Sequence, residues 1–145
     1  MLNGVHGRPT RRTDWKVLTP SRTADVIPLD TLFPWELWPH AYFGLYPEGM
    51  DDRWFAYMER RRLRIHRSWT GFSTDEVKFD LAEEGFRITR IRVNDDSRQY
   101  ARGSDAYEQV MAEWFIWAFF GGPQYYEYSQ RMWDRAHELL AGDQS

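Results

Sequence analysis

Between residues 53 and 94 four strand-forming runs follow one another with almost no chain to spare, and this spacing restricts the fold more than any other feature. The runs are 53–59, 61–69, 75–81 and 86–94. The third is the clearest. Val77, Phe79 and Leu81 alternate with Glu76, Lys78 and Asp80, the period of a strand with one buried face. The joining turns fall at about Arg60, at Thr70-Gly71-Phe72-Ser73 and at Glu83-Glu84-Gly85. A parallel crossover needs about a dozen residues or more, so turns this short leave an antiparallel meander.

The fourth run breaks the period. Phe86 and Ile88 share one face, whereas Ile91 and Val93 fall on the other. A β-bulge near Thr89-Arg90 would bring all four to the core side.

Two helices follow the turn Asn94-Asp95-Asp96-Ser97. The first is predicted from Ser104 or Asp105 to Phe120, with Asp105 and Glu108 at capping-box spacing. Its apolar stripe is Tyr107, Val110, Met111, Trp114, Phe115 and Ala118, and residues 114–120 are apolar all round. Gly121-Gly122-Pro123 ends it. The second covers about residues 124–141, with Tyr125, Tyr128, Met132, Ala136, Leu139 and Leu140 on one side. The expected fold is therefore α+β: a four-stranded antiparallel meander followed by two C-terminal helices.

The remaining chain is irregular by composition. Residues 1–24 are rich in Thr, Arg, Pro and Gly and read as a mobile or surface-hugging arm, pinned by Trp15 and Val17-Leu18. Residues 25–50 hold Pro28, Pro34, Pro39 and Pro47, which forbid a long helix. Phe33, Trp35, Trp38, Tyr42, Phe43 and Tyr46 lie among them, so the segment reads as an aromatic flap over the core. Asp30 or Thr31 would cap one short turn over 31–38. Residues 25–145 form the expected single domain, of a size to bury its own core without staples.

Composition removes several function classes. The chain has no cysteine, which excludes disulfides and thiolate zinc sites and fits a cytoplasmic setting. Residues 1–7 lack the apolar core of a signal peptide, and the longest apolar run, 114–120, is far short of the roughly 20 residues of a membrane span. The net charge is −3, which argues against nucleic acid as partner. The charge is uneven: −2 over residues 1–52, +4 over 53–102 and −5 over 103–145. The chain also carries 8 Trp, 8 Tyr and 9 Phe, more rings than one small core takes up, which favours a ligand groove or a homo-oligomer.

No catalytic or metal constellation stands out. His6, His40, His66 and His137 are scattered, and Asp134 with His137 makes only a two-ligand helical pair. Asp95-Asp96 is explained by its turn, and neither a phosphate loop nor a G-x-S-x-G motif occurs. His66 and Ser68 share a strand face, but ~7 Å apart they are too distant for a direct hydrogen bond. No metal and no cofactor is therefore expected.

The distinctive stretch is Arg60-Arg61-Arg62-Leu63-Arg64-Ile65-His66-Arg67-Ser68-Trp69-Thr70-Gly71. On a strand Arg62, Arg64, His66 and Ser68 point one way. Leu63, Ile65 and Trp69 point the other, with Arg61 and Arg67. Arg90 and Arg92 add to the basic surface from the fourth run. Guanidinium groups hold phosphates and carboxylates through forked hydrogen bonds. The structural alternative is a cross-strand ladder with Glu76 and Asp80. Arg67 shares a face with core residues, so it needs a partner: an acid such as Glu108 or Glu113, or a ligand. A purely structural hairpin would bury Trp69 as a core residue.

His66-Arg67-Ser68-Trp69-Thr70-Gly71, followed by Val77-x-Phe79, Val93-Asn94 and Tyr100, resembles an uncharacterised group of small bacterial proteins with an H-R-S-W-T-G hairpin signature. The likeness covers roughly residues 54–120. Some members of that group are encoded near, or joined to, ADP-ribosylglycohydrolase-type proteins, a resemblance that points toward ADP-ribose biology but carries no function over. The expectation is a binding or accessory protein. Its Arg62, Arg64, His66, Arg67, Ser68, Trp69, Arg90 and Arg92 would hold an anionic nucleotide or ADP-ribose-like ligand, or an acidic protein surface. The alternatives are an enzyme on such a substrate with His66 as acid or base, and a structural or inhibitor protein acting through its aromatics.

Overall fold

The computed structural model describes residues 4, 5 and 7–144; His6 and the first three residues of the predicted arm lie outside them. Five strands form one antiparallel sheet in the order β1-β5-β4-β3-β2. They are β1 (Ala24–Pro34), β2 (Trp54–Glu59), β3 (Arg62–Arg67), β4 (Ser73–Leu81) and β5 (Gly85–Asn94). A short helix α1 (Trp38–Phe43) follows β1, and α2 (Asp105–Phe120) and α3 (Tyr126–Gln144) follow the sheet.

The four-stranded meander is present, but the sheet has a fifth strand that the prolines concealed. β1 pairs with β5 from Ala24↔Asn94 to Pro34↔Gly85. Proline lacks the ladder donor, yet an edge strand needs donors on one side only, and a bulge relaxes the rest. β1 meets both conditions: it is an edge, and its register slips between Pro28 and Thr31. The helical turn expected at 31–38 begins later, at Trp35. Pro39 then sits in the first turn of α1, where its missing N–H costs nothing.

The bulge in β5 falls where the broken period demands it. Lys78 pairs with Arg90 and Phe79 with Ile88, so Thr89 is skipped. Phe86, Ile88, Ile91 and Val93 are all fully buried as a result. They pack with Leu63, Ile65, Val77 and Phe79 against Phe115, Ile116 and Phe120 of α2.

Two details of α2 differ from expectation. Ser104 is the N-cap, its side chain accepting from the Tyr107 N–H. Glu108 therefore makes no capping box with Asp105; it accepts from the Gly103 N–H instead. The buried face is Glu108, Ala112, Phe115, Ile116, Trp117 and Phe120, with Ala118 exposed. A helix apolar nearly all round gives the sequence little to choose a face by. Tyr107, Met111 and Trp114 are thereby left half-buried beside the sheet.

The opposite sheet face is partly covered by the N-terminal segment. The Thr10 N–H bonds Phe43 O, the Leu18 N–H bonds Gly71 O, and Trp15 Nε1 bonds Ser68 O at 2.8 Å. The Trp15 ring stacks on Phe55 with centroids 6.3 Å apart.

Candidate functional site

Arg67 is the last residue of β3 and pairs with Trp54 across the ladder. Strand alternation puts it on the helix-facing side with Leu63 and Ile65. Beyond Ile65 the register slips, so Arg67 stands past the end of regular pairing with β4, where the helix layer leaves room. Its guanidinium lies over the Trp54 ring, 4.8 Å from the centroid. Among the described residues it makes no ion pair, and no hydrogen bond is accepted from it. Glu113 is engaged by Thr31 and Glu108 by Tyr100, so neither expected acid pairs with it.

Arg67 stands at the centre of a cleft with two lobes. One lobe, about 510 Å³, is walled by Trp54, Tyr107, Met111, Trp114, Phe119 and Trp133, with Leu45 and Tyr46 at its side. The other, about 620 Å³, is walled by Met50, Trp69, Thr70 and Gln99. Asp51, Arg53, Arg67, Tyr100 and Ala101 belong to both. Each lobe alone falls within the size range of small-molecule sites.

Beneath the cleft two acids are packed close together. Asp75 lies on β4 in phase with Val77 and Phe79, and Glu108 lies on α2 in phase with Ala112 and Phe115. Glu108 is fully buried and accepts from Tyr100 Oη at 2.8 Å and from the Gly103 N–H at 3.0 Å. Burial, and then the charge of Glu108, push the Asp75 carboxyl up to about 7. Burial likewise raises Glu108. Burial and the two nearby acids raise the Tyr100 phenol, so it stays protonated and donates.

The eight residues expected to bind ligand do not converge. Arg67 and Trp69 line the cleft. Trp69 is 69% exposed rather than a core residue, and its ring is fixed by Nε1 donating to Met50 O at 3.0 Å. Ser68 Oγ donates to Asp52 O at 2.6 Å, holding the loop that carries Asp51 and Arg53. On the opposite face, Arg62 and Arg64 pair with Glu76 at 3.3 and 3.0 Å, and Arg64 also faces Glu59 at 3.5 Å. Those two arginines form the ion-pair ladder. Arg92 donates to Ser21 O at 2.9 Å, and Arg90 is exposed opposite Lys78.

His66 also faces away from the cleft. It is 1% exposed, stacks on Tyr57 at 5.9 Å, and its Nδ1 lies 2.9 Å from Gly71 O. Burial lowers its pKa, so the ring is neutral and Nδ1–H is the donor. Gly71 permits this closure. Its φ is +78°, and a Cβ there would stand 2.7 Å from Lys16 O.

Sequence alone singles out none of Arg53, Trp54, Trp133 and Asp75, and offers Tyr107 only as part of the helix stripe and Glu108 only as a cap or as a partner for Arg67. The two acids carried a usable signal, since each is an acid in phase with an apolar stripe. Among the described residues no group of three or more His, Asp or Glu could hold a metal ion, and no helix is long and apolar enough to cross a membrane. Comparison with protein-family models, with curated proteins and with solved structures gives no match.

Proposed function

We propose that this protein binds an anionic, nucleotide-like small molecule, including ADP-ribose-like compounds, in the cleft over Arg67. The observation that carries the reading is the half-buried Arg67 guanidinium, stacked on Trp54 and making no ion pair among the described residues, although Asp75 lies near enough to feel its charge. A cation so placed gains from an anion, because its desolvation is otherwise offset only by one ring and by the charge of Asp75, which makes no ion pair with it. Arg67 offers a forked donor for phosphate or carboxylate, and Tyr107, Trp114 and Trp133 offer flat surfaces for a base. The resemblance of the 66–71 hexapeptide to a group linked with ADP-ribosylglycohydrolase-type proteins supports the same ligand class.

Binding rather than catalysis is the role favoured. An enzyme using His66 as acid or base finds little support, since that ring is buried on the face away from the cleft. An acidic protein partner would instead meet the exposed Arg60, Arg61 and Arg90, none of which makes an ion pair among the described residues. Exposed Phe119, Tyr126 and Trp133 favour self-association alongside ligand binding. A cysteine-free chain suits the cytoplasm, and that location is part of the proposal. The test is a calorimetric titration with ADP, ADP-ribose and inorganic pyrophosphate, against wild type and Arg67→Ala. Binding that is abolished by Arg67→Ala supports the reading; absence of binding to all three removes it.

A further inference from the structure

The two lobes are not equivalent, and their shared wall is the informative part. Arg53 and Arg67 line both lobes, so the cationic groups sit at the junction. Asp51 stands there too and Asp52 lines the first lobe, so the two cations are matched in number by two carboxylates, and an anion would be held by the two forked guanidinium groups rather than by net charge. Flat aromatic surfaces lie to either side. In the first lobe the Trp114 and Trp133 rings approach to 5.0 Å at 45°, making an angled wall. In the second lobe Trp69 stands alone, largely exposed, and its hydrogen bond to Met50 O holds the indole in place before any ligand arrives. A tryptophan that lies outside the core, yet is fixed beside an arginine at a cleft, is an oriented stacking platform.

We infer that the cleft takes a ligand with two ring-bearing ends joined through an anionic centre, of the dinucleoside pyrophosphate class. The pyrophosphate lies at Arg53 and Arg67, one base lies against Trp114 and Trp133, and the second stacks on Trp69. This rests on the nucleotide-binding reading and adds the second aromatic end, which a nucleoside diphosphate or ADP-ribose lacks. Room is sufficient, because each lobe separately reaches the volume of a small-molecule site.

The experiment compares diadenosine pyrophosphate with ADP and ADP-ribose on the full chain, by calorimetry, for wild type and Trp69→Ala. Trp69 is exposed, so its removal leaves the core intact. A base stacked on an indole contributes enough that diadenosine pyrophosphate should bind about tenfold or more tighter than ADP. Trp69→Ala should abolish that advantage, bringing diadenosine pyrophosphate down to the affinity that ADP shows in the same variant. Equal affinity for the two compounds in wild type, with Trp69→Ala silent, overturns the two-ended ligand while leaving the anion site standing. Failure of all three compounds to bind overturns both readings together. Loss of ADP binding in Trp69→Ala also overturns the inference, because it places the single base on Trp69.

Discussion

The Arg67 guanidinium rests 4.8 Å from the centre of the Trp54 ring, and its strand partner across the β2–β3 ladder is that same tryptophan. Neither Glu108 nor Glu113 forms an ion pair with Arg67, and Asp75 acts on it only through its nearby charge. Removing the cation therefore strands no salt-bridge partner. Arg67→Ala should cost only about 1 kcal/mol of stability, the worth of one cation–π contact, while abolishing ligand binding. Arg67→Lys should keep stability and still lose most binding, because a lysine offers neither the fork nor the flat stack. A drop of several kcal/mol in urea unfolding of Arg67→Ala would mean that the arginine is a structural element instead.

Trp69 and Phe79 make a contrast in stability that separates surface from core. Phe79 is fully buried between the sheet and Trp38, whereas Trp69 is mostly exposed. Phe79→Ala should destabilise by about 3–5 kcal/mol. Trp69→Ala should destabilise by about 1 kcal/mol or less, the value of its one hydrogen bond to Met50 O. Thermal melts of the two variants side by side check this, and comparable losses would show Trp69 to be packed.

How much was legible follows from which physical signal each part leaves. Strand β4 was plain because one of its faces is solvated, and the β5 bulge was readable because Phe86, Ile88, Ile91 and Val93 could not otherwise share a core. β1 was hidden because its prolines argue against a strand, and only its edge position makes them tolerable. The hairpin was identified as a site, but alternation divides it. Arg67 turns toward the cleft, His66 turns under the N-terminal segment, and Arg62 and Arg64 turn to Glu76. The cleft itself joins residues 45–54, 67–70, 99–111 and 114–133, and no local pattern announces a meeting of that kind.

His66 should behave as a structural residue. Its Nδ1–H bonds Gly71 O at 2.9 Å, and its ring packs on Tyr57 and near Phe55. His66→Ala should cost about 2–4 kcal/mol, from a cavity and an orphaned carbonyl, while ligand affinity stays within about twofold. Proton NMR of the imidazole should show it titrating below a free histidine, since burial lowers its pKa. A midpoint at or above that of free histidine, or lost binding at unchanged stability, would return His66 to the list of ligand contacts.

Self-association can be tested on the α2–α3 surface. Phe119, Tyr126 and Trp133 are exposed there, and Trp114, Ala118, Tyr126 and Trp133 share one shallow depression. Light scattering at high micromolar concentration should give a mass above 17.5 kDa. Tyr126→Glu, at a 65% exposed position, should restore the monomer without loss of stability. A monomer at every concentration rules this surface out as a contact between copies.

The two acids beneath the cleft make stability depend on pH in an unusual direction. Asp75 faces Glu108 from α2, Arg67 from β3 and Arg102 from the segment before α2, with Thr74 on its own strand. Burial and the charge of Glu108 outweigh the cations and raise its pKa to about 7, against about 4 in the unfolded chain. Between those values the folded state holds the proton and the unfolded state does not. Stability therefore falls as pH rises through this window and levels off above about 7, with a slope of at most about 1.4 kcal/mol per pH unit for one proton. Glu108, also raised, acts in the same direction. His66 acts oppositely on acidification, because its pKa is lowered. Asp14, held at about 2 by Arg8, titrates only in strong acid. The clean observable is thus the difference in melting temperature between wild type and Asp75→Asn, in which His66 and Asp14 cancel. Asp75→Asn should be the more stable protein at pH 8, and its advantage should shrink steadily toward pH 5. The same substitution removes a competing negative charge beside Arg67, so nucleotide affinity at pH 8 should rise and lose its dependence on pH. A difference in melting temperature that is constant from pH 5 to 8 would mean that Asp75 is ionised throughout and that its charge is balanced by Arg67.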